Sequence, residues 1–400
     1  MSAPSTGLAA GETQPVVIVG GGFAGLTLAL QLSRQSPRPP IVLVEPQPQF
    51  AFLPLLYELL SGELQAWEVA PRYDDLLQSS GIALIQDRIS TIHWQDHTVV
   101  TMGGQRLRYA QLVLATGSQP NDFGVPGVKE HALHFHSLND VARLRQLVKS
   151  LNRASGAGNE KSSPALAVVG AGPTGVELAC KLADLLEGRA TIHLIEQGEQ
   201  VLPLARAFNR EQALTTLQRL HIHCHLNARV ETMSATSVTF TGEGRTTTLH
   251  HQGLIWTAGS KPRRPTLVPE LSQSQGRLAV DEQLRSLDIP DCVVIGDLAV
   301  HQPADGTATP WPSSAQVAMQ QGEAAAATVM ALRQSQDPPT FRFNDLGEML
   351  SLGKGNATLT GMGMTLAGPL AFKLRRLTYL ARLPKASLGL RSAGAWLLSR

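Results

Sequence analysis

The chain has 400 residues, more than one hydrophobic core usually supports, so two domains with an appendage are expected. Its composition, with 43% hydrophobic and 16% charged residues, is that of a soluble globular protein. A formal net charge of +2 is too small to indicate a nucleic-acid partner, because phosphate neutralisation needs a concentrated basic surface. The N-terminus has no signal-peptide pattern and no stretch has about 18 uninterrupted apolar residues, so we expect neither secretion nor membrane spanning.

The cysteines exclude several classes of redox protein. Cys180, Cys224 and Cys292 are widely spaced, and no CxxC pair occurs. This argues against a disulfide framework, a zinc site and a dithiol redox centre, and it indicates a reducing cytoplasm.

The first predicted elements form a βαβ unit. A short β-branched run is followed by Gly20-x-Gly22-x-x-Gly25 and then by a helical pattern. In such a turn the first glycine permits the bend, the second lets backbone N–H groups approach a pyrophosphate, and the third allows close helix packing. A second strand delivers Glu45, where an acid accepts hydrogen bonds from ribose hydroxyls. A dinucleotide site is therefore predicted.

The same pattern occurs again in the second half of the chain. Gly170-x-Gly172-x-x-Gly175 follows a buried strand, and the next strand ends at Glu196. Two βαβ units, and hence two bound dinucleotides, are therefore predicted.

The acid at Glu196 bears on the choice of nicotinamide. An acid at this position favours a free 2′-hydroxyl, which argues mildly for NADH. Arg206 or Arg210 would serve a 2′-phosphate if either lay nearby. NADH and NADPH both stay open at this point.

Three further strand-and-turn segments, at residues 112–118, 254–259 and 295–297, resemble those of two-dinucleotide flavoprotein reductases. The resemblance implies an α/β fold of two Rossmann-like dinucleotide-binding domains, with FAD bound first and the nicotinamide second. It implies FAD contacts at Thr116, Gly117, Gly296 and Asp297, and nicotinamide contacts at Ala258 and Gly259.

The same resemblance divides the chain into domains. The FAD-binding domain is discontinuous, at residues 13–135 and 262–338, and the NAD(P)H-binding domain covers residues 136–261. Residues 339–400 form a C-terminal amphipathic helical segment for membrane association.

Without a thiol relay, a flavin reduced by NAD(P)H passes electrons directly to a quinone, a protein carrier or oxygen. Residues 50–62, 172–179 and 314–322 resemble type II NAD(P)H:quinone dehydrogenases, and the resemblance covers nearly the whole chain. It implies FAD contacts at Pro54 and Ala315, and Lys354 is a weaker candidate. It places Glu177, Gln316 and Gln320 at the quinone site.

Two segments resemble one branch of this family in particular. Residues 67–77 and 341–353 look like the plant-plastid and cyanobacterial branch, which is similar to demethylphylloquinone reductase. Members of that branch reduce the demethyl-naphthoquinone precursor of phylloquinone. A respiratory-type enzyme that uses plastoquinone, ubiquinone or menaquinone is the alternative, and a flavin redox sensor or a ferredoxin-type reductase is the alternative of another class.

The residues themselves permit two interpretations of the quinone-site candidates. Glu177 lies on the first turn of a helix, where the dipole favours the carboxylate, so a proton-carrying role requires a buried apolar setting. The alternative is that Glu177 only stabilises the helix dipole as a carboxylate. Gln316 and Gln320 share one helix face and could donate to a quinone carbonyl; surface glutamines are the alternative.

The C-terminal segment is basic and amphipathic. After Glu348 the chain has no acid, and apolar residues are interleaved with cations in two predicted helices separated by Pro384. This pattern favours the surface of an anionic bilayer, and docking on the protein's own core is the alternative. The predicted location is the cytoplasmic face of a membrane, thylakoid or plasma membrane if cyanobacterial, and a homodimer stays open.

His221, His223 and His225 alternate along the chain, which predicts one polar face of a strand. No acid or cysteine pattern accompanies them. No metal site is therefore predicted.

Overall fold

The computed structural model describes residues 14–154, 164–271, 276–303 and 311–398. They form two compact units. The first comprises the described parts of Met1–Phe50, Arg72–Gln119 and Lys261–Asn344, and the second comprises those of Ala51–Pro71, Pro120–Ser260 and Asp345–Arg400.

The strands of the described residues are mostly short. In chain order they are β1 (Val16–Val19), β2 (Ile41–Val44), β3 (Ile82–Ile85), β4 (Ile89–His93), β5 (Thr98–Thr101), β6 (Arg106–Arg108), β7 (Gln111–Leu114), β8 (Ser118–Pro120), β9 (Ala165–Val169), β10 (Thr191–Ile195), β11 (His223–His225), β12 (Ala228–Met233), β13 (Ser237–Gly242), β14 (Arg245–His250), β15 (Gly253–Trp256), β16 (Ser260–Pro262), β17 (Thr266–Val268), β18 (Leu278–Val280), β19 (Cys292–Val294), β20 (Ala299–His301), β21 (Glu348–Ser351), β22 (Ala357–Gly361) and β23 (Met364–Gly368).

The helices range from single turns to five turns. In chain order they are α1 (Phe23–Leu32), α2 (Leu56–Ser61), α3 (Ala66–Val69), α4 (Tyr73–Leu77), α5 (Val128–His131), α6 (Leu138–Ala154), α7 (Pro173–Leu186), α8 (Ala207–Arg219), α9 (Ala315–Arg333), α10 (Pro369–Ala381) and α11 (Ala386–Leu398). Turns of 3₁₀ helix lie at Leu53–Leu55 and Gly296–Leu298.

The first unit is built on a parallel five-stranded sheet with the strand order β19-β7-β1-β2-β3. The first strand of the chain is central because the chain extends the sheet first on one side and then on the other, as in doubly wound folds. Helices α1 and α9 pack together so closely that a Cβ on Gly322 would lie 2.5 Å from the Ala24 carbonyl oxygen. A four-stranded sheet, β17-β4-β5-β6, completes the apolar core of this unit.

The second unit repeats this order in its sheet β11-β10-β9-β15, whose strands are also parallel. An antiparallel sheet, β12-β13-β14, packs its apolar side into the same core. Both predicted βαβ units are therefore present, and the predicted fold class is confirmed.

The C-terminal segment contains an element that was not predicted. Antiparallel strands β21, β22 and β23 precede the two predicted helices, and α10 packs on this sheet through Ala371 and Phe372. The predicted break at Pro384 separates α10 from α11. Among the described residues, no helix combines the length and apolarity needed to cross a bilayer.

The compact units differ from the predicted domains in where short segments pack. Residues 51–71 and 120–135, which were predicted to belong to the FAD-binding domain, lie in the second unit. The predicted C-terminal segment is divided: residues 339–344 lie in the first unit, and residues 345–398 lie in the second. The assignment of cofactors to domains stays a prediction.

Candidate functional site

The first glycine turn joins β1 to α1 and leaves no room for side chains at two of its glycines. Gly20 has a φ of +101°, and a Cβ there would lie 2.5 Å from the Ala115 carbonyl oxygen. A Cβ on Gly25 would lie 1.9 Å from the Gly20 oxygen. Around Gly22, by contrast, none of the described atoms lies within 4 Å of such a Cβ, and no side chain caps the helix. This open backbone is what a pyrophosphate requires.

The ribose-binding candidate Glu45 is fixed beside this turn. Its carboxylate accepts hydrogen bonds from the Gly21 N–H at 2.7 Å and from the Gln47 N–H at 2.9 Å. The Tyr73 hydroxyl donates to the Gly21 carbonyl oxygen at 2.7 Å. Burial and the nearby Glu45 carboxylate raise the pKa of Tyr73, so this phenol remains a donor. Tyr73 was not predicted, because only tertiary packing brings it to the turn.

Gly296 and Asp297, two of the predicted FAD contacts, lie in the 3₁₀ turn that follows β19. The Asp297 carboxylate accepts from the Ser118 hydroxyl at 2.6 Å. The Gly296 N–H donates at 2.7 Å to the side-chain oxygen of Gln321, which is buried. The side chain that α9 directs at Gly296 is thus Gln321.

Arg263 supplies a further observation on the cofactor. The Thr116 hydroxyl donates to its carbonyl oxygen, and its N–H donates to the Gly117 carbonyl oxygen at 2.9 Å. Its side-chain Nε is buried and has no hydrogen-bond partner among the described residues. Burial and the repulsion of Arg88 lower the pKa of Arg263, whereas Glu45 raises it. A half-buried guanidinium with an unpartnered Nε, in the same unit as the open turn, fits the diphosphate of FAD.

Of the glutamines predicted at the quinone site, Gln320 is bound to the backbone of its own unit. Its amide donates to the Asn344 carbonyl oxygen at 2.8 Å and accepts from the Asn344 N–H at 2.9 Å. Ala315 is the first residue of α9, and Gln316 follows it, so both lie on the first turn of the helix. The roles of these three residues stay predictions.

The second glycine turn has the same geometry as the first. Gly170 has a φ of +98°, and a Cβ there would lie 2.8 Å from the Ala258 nitrogen. A Cβ on Gly175 would lie 1.8 Å from the Gly170 oxygen, while at Gly172 no described atom comes within 4 Å. Gly259 follows Ala258 with a φ of +63°. The predicted nicotinamide residues Gly170 and Ala258 are therefore adjacent in space.

Glu196 repeats the bonding of Glu45. Its carboxylate accepts from the Ala171 N–H at 2.7 Å and from the Gly198 N–H at 2.8 Å. The two predicted dinucleotide sites therefore match in glycine spacing, in backbone conformation and in the position of the acid.

The two arginines considered for a 2′-phosphate are bound elsewhere. Arg206 pairs with Asp345 at 2.7 Å. Arg210 donates to the carbonyl oxygens of Leu202 at 3.1 Å and Ala205 at 2.9 Å. Both guanidinium groups therefore already have protein partners.

Glu177 lies on the first turn of α7, directly after the second glycine turn, and it is buried. Its carboxyl accepts from the Ser351 N–H at 2.6 Å, and the Tyr57 hydroxyl also donates to it. Burial raises the pKa of Glu177 more than Arg375, Ser351 and Tyr57 lower it. The buried setting that a proton-carrying role requires is therefore present.

Next to Glu177 lies a buried ion pair that was not predicted. Arg375 of α10 is 1% exposed and binds Glu58 of α2, which is fully buried. The same guanidinium donates to the Pro54 carbonyl oxygen at 2.9 Å and lies 3.5 Å from the Glu177 carboxyl. Pro54 was predicted to contact FAD, and the structure places it in the second unit with this cluster.

The structure changes the interpretation of two C-terminal cations. Arg375 and Arg376 are two of the cations after Glu348 that were predicted to face a bilayer. Both are buried, and Arg376 donates to the Glu63 carbonyl oxygen at 3.1 Å. They point inward because buried acids of the same unit face this side of α10. Lys354, the weaker FAD candidate, is exposed in the second unit, and its N–H donates to Asp184.

The alternating histidines lie at and just before β11. The His225 ring packs against His193 of β10, with 3.0 Å between their nitrogens. Burial, together with neighbouring histidines, lowers the pKa of His193 to about 4. In the described ranges, no group of three or more His, Cys, Asp or Glu is arranged to hold a metal ion.

The geometry of the two matched glycine turns agrees with a comparison to known families. A family described as pyridine nucleotide-disulphide oxidoreductase matches residues 14–322. The chain belongs to this family. Its three cysteines are all free, and none lies in a CxxC pair.

Individual relatives show which members of this family the chain resembles. This oxidoreductase is 36% identical over 402 residues to demethylphylloquinone reductase NdbB of Synechocystis sp., covering 96% of this chain and 97% of that protein. It is 33% identical to the alternative NAD(P)H-ubiquinone oxidoreductase C1 of Arabidopsis thaliana, covering 92% of this chain and 78% of that protein. The predicted resemblance to the type II dehydrogenases and to their demethylphylloquinone reductase branch is confirmed.

A solved structure shows the same fold. NDH2 from Plasmodium falciparum, determined in complex with NADH, superposes with a TM-score of 0.87 at 19% identity. The superposition covers 96% of this chain and 98% of that chain. The prediction of an oxidoreductase with the two-dinucleotide flavoprotein fold is confirmed.

Proposed function

We propose that the chain is an FAD-dependent NAD(P)H:quinone oxidoreductase that reduces demethylphylloquinone to its quinol in phylloquinone biosynthesis. The observation that carries the proposal is Glu177, a buried carboxyl with a raised pKa beside the second glycine turn of a protein without a dithiol. A quinone needs two protons as well as two electrons, and a buried protonated carboxyl supplies one of the protons.

The two cofactors have matching sets of residues. Gly22, Glu45, Asp297 and Arg263 would hold FAD, which accepts hydride and passes electrons to the acceptor. Gly172, Glu196 and the Ala258–Gly259 turn would hold the nicotinamide. The family and the NADH complex of the Plasmodium falciparum neighbour support this assignment.

The choice of quinone rests on the relatives. The Synechocystis relative, named as a demethylphylloquinone reductase, covers nearly the whole of both chains. The Arabidopsis relative is named as an NAD(P)H-ubiquinone oxidoreductase, which keeps a respiratory-type acceptor as the alternative.

The acceptor is tested by steady-state reduction of demethylphylloquinone, plastoquinone, ubiquinone and menaquinone by the purified FAD-loaded protein. We expect demethylphylloquinone to give the highest kcat/KM. In the same assay, Glu177→Gln is expected to slow quinone reduction by on the order of a hundredfold, because a general acid is lost. Stopped-flow reduction of the flavin by NAD(P)H should be unchanged.

Three outcomes would contradict these expectations. Equal rates with all short-chain quinones would leave the narrower acceptor without support. An unchanged turnover of Glu177→Gln would remove the proposed role of this carboxyl. Rapid flavin reduction without reoxidation by any quinone would favour a redox sensor instead.

A peripheral attachment to the membrane through the C-terminal helices is part of the proposal. Leu377 on α10 and Leu390 on α11 are 46% and 75% exposed, and Lys373 and Arg391 are exposed near them in the sequence. Apolar side chains interleaved with cations suit an anionic bilayer surface. The quinone assay should therefore run faster with quinone in anionic vesicles than in zwitterionic ones, and equal rates would count against this attachment.

For the nicotinamide, we predict a preference for NADH. The fixed Glu196 carboxylate would repel a 2′-phosphate, and Arg206 and Arg210 are bound elsewhere. Repulsion of this kind should favour NADH in flavin reduction by at least about tenfold, or about 1.4 kcal/mol. Glu196→Ser should reduce that preference, while Glu199→Ser, a neighbouring exposed acid, serves as the control. Faster flavin reduction by NADPH in the wild type would refute this prediction.

A further inference from the structure

The buried cluster on α2, α7 and α10 contains two carboxyls and one guanidinium. Arg375 forms its close ion pair with Glu58, whereas its distance to the Glu177 carboxyl is 3.5 Å. All three side chains are at least nine-tenths buried. One positive charge is therefore shared by two acids, and the nearer acid is Glu58.

The other groups around Glu177 do not supply a second cation. The Tyr57 hydroxyl and the Ser351 N–H donate to it, and Tyr379 of α10 stacks under the Arg375 guanidinium at 4.9 Å. Lys181, one turn further along α7, is fully buried but forms its own ion pair with Glu63 at 2.8 Å. Among the described residues facing Glu177, Arg375 is thus the cation whose charge decides its protonation.

We propose that Glu58 is a positioning residue that neutralises Arg375 and thereby keeps Glu177 protonated at neutral pH, ready to protonate a bound quinone. This inference rests on the proposed function. A hydride from the nicotinamide carries two electrons and one proton. Glu177 supplies the second proton that the quinol needs, and it is reprotonated from solvent after each turnover. Glu58 keeps its ion pair with Arg375 throughout and transfers no proton.

The electrostatic balance agrees with this geometry. Burial is the largest influence on the pKa of Glu177 and raises it, Arg375 lowers it, and the Glu58 carboxylate raises it again. Burial lowers the pKa of Arg375, but Glu58 is the largest of the influences that raise it, and the pKa is raised overall. A charged arginine without Glu58 would turn fully toward Glu177, because a single uncompensated buried charge is costly.

The test is Glu58→Gln in the FAD-loaded protein. In pH-difference infrared spectra the wild type should show the carbonyl stretch of a protonated carboxylic acid at neutral pH, identified by its loss in Glu177→Gln. Glu58→Gln should lose this band at neutral pH. Quinone reduction at neutral pH should fall by about tenfold or more, and its alkaline limb should move to lower pH, while flavin reduction by NADH is unchanged.

Three further variants separate this role from a structural one. Glu58→Asp keeps the carboxylate and should retain the band. Glu58→Gln combined with Arg375→Met removes both charges and should restore the band, since Glu177 then has no cation beside it. Glu68→Gln removes another buried carboxylate of the same segment, one that pairs with Ser392, and should leave the band unchanged.

The inference is overturned if Glu58→Gln retains the protonated band, or if the double variant lacks it. Either result leaves the proposed function intact, because wild-type quinone reduction is measured separately. Conversely, a wild type that reduces no quinone would refute the proposed function, and the infrared comparison would still decide whether Glu58 controls the proton on Glu177.

Discussion

Replacement of Gly22 by alanine should produce a folded protein that binds little FAD. Gly22 has a φ of −64° and a ψ of −164°, which alanine adopts without strain. Its Cβ would meet no described atom within 4 Å, so the fold should be unaffected. The methyl group would instead occupy the space into which backbone N–H groups reach a pyrophosphate. Such crowding costs about 1–3 kcal/mol, or roughly a 5- to 150-fold loss of FAD affinity.

The flavin-to-protein ratio of the purified variant, from its visible absorbance, provides the measurement, and circular dichroism provides the check on folding. Gly25→Ala serves as the contrasting variant, because its Cβ would lie 1.9 Å from the Gly20 oxygen and should disturb the fold itself. A Gly22→Ala protein as yellow as the wild type would show that FAD does not lie against this turn.

The parts of the fold that the sequence predicted are those in which pattern and conformation are local. A buried strand, a glycine turn and a helix follow one another within about a dozen residues of Val16, so the apolar run and the glycine spacing suffice. The same holds around Gly170. The acids Glu45 and Glu196 were predictable for the same reason, since each directly follows the next strand of its unit.

The parts that were not predicted depend on long-range packing. Glu58 and Arg375 are separated by 317 positions in the sequence, and a cation on an amphipathic helix gives no sign of a buried partner. Strands β21 to β23 were interpreted as part of a helical appendage, because their pairing depends on one another and on α10. The sequence also did not predict which glutamine of α9 faces Gly296. Gln320 and Gln321 point to different sides of the helix, and Gln321 is the one that binds Gly296.

Through Arg375, helix α10 of the C-terminal segment contacts the cluster around Glu177, the candidate proton donor. Arg375 belongs to a segment that the sequence assigned to membrane attachment, yet its guanidinium binds Glu58 and lies near Glu177. A structural change in α10 would therefore alter the charge next to Glu177. Attachment of this segment to a membrane and the proton supply for a quinone would share one helix.

Replacement of Gly172 by alanine should leave FAD bound but prevent its efficient reduction by a nicotinamide. The local geometry of Gly172 resembles that of Gly22. Gly172 has a φ of −71° and a ψ of −176°, and no described atom lies within 4 Å of the added Cβ. The crowding falls on the second pyrophosphate site alone, so kcat/KM for NADH in flavin reduction should drop by roughly 5- to 150-fold. The flavin content should equal that of the wild type, and dithionite should still reduce the bound flavin.

The two alanine variants control for each other, because they make the same substitution in the same local geometry. Loss of colour in Gly22→Ala with full colour in Gly172→Ala assigns FAD to the first turn and the nicotinamide to the second. The opposite pattern would reverse the assignment, which the matching geometries of Gly20–Gly25 and Gly170–Gly175 do not decide by themselves. A Gly172→Ala protein that is reduced by NADH at the wild-type rate would exclude the second turn as the nicotinamide site.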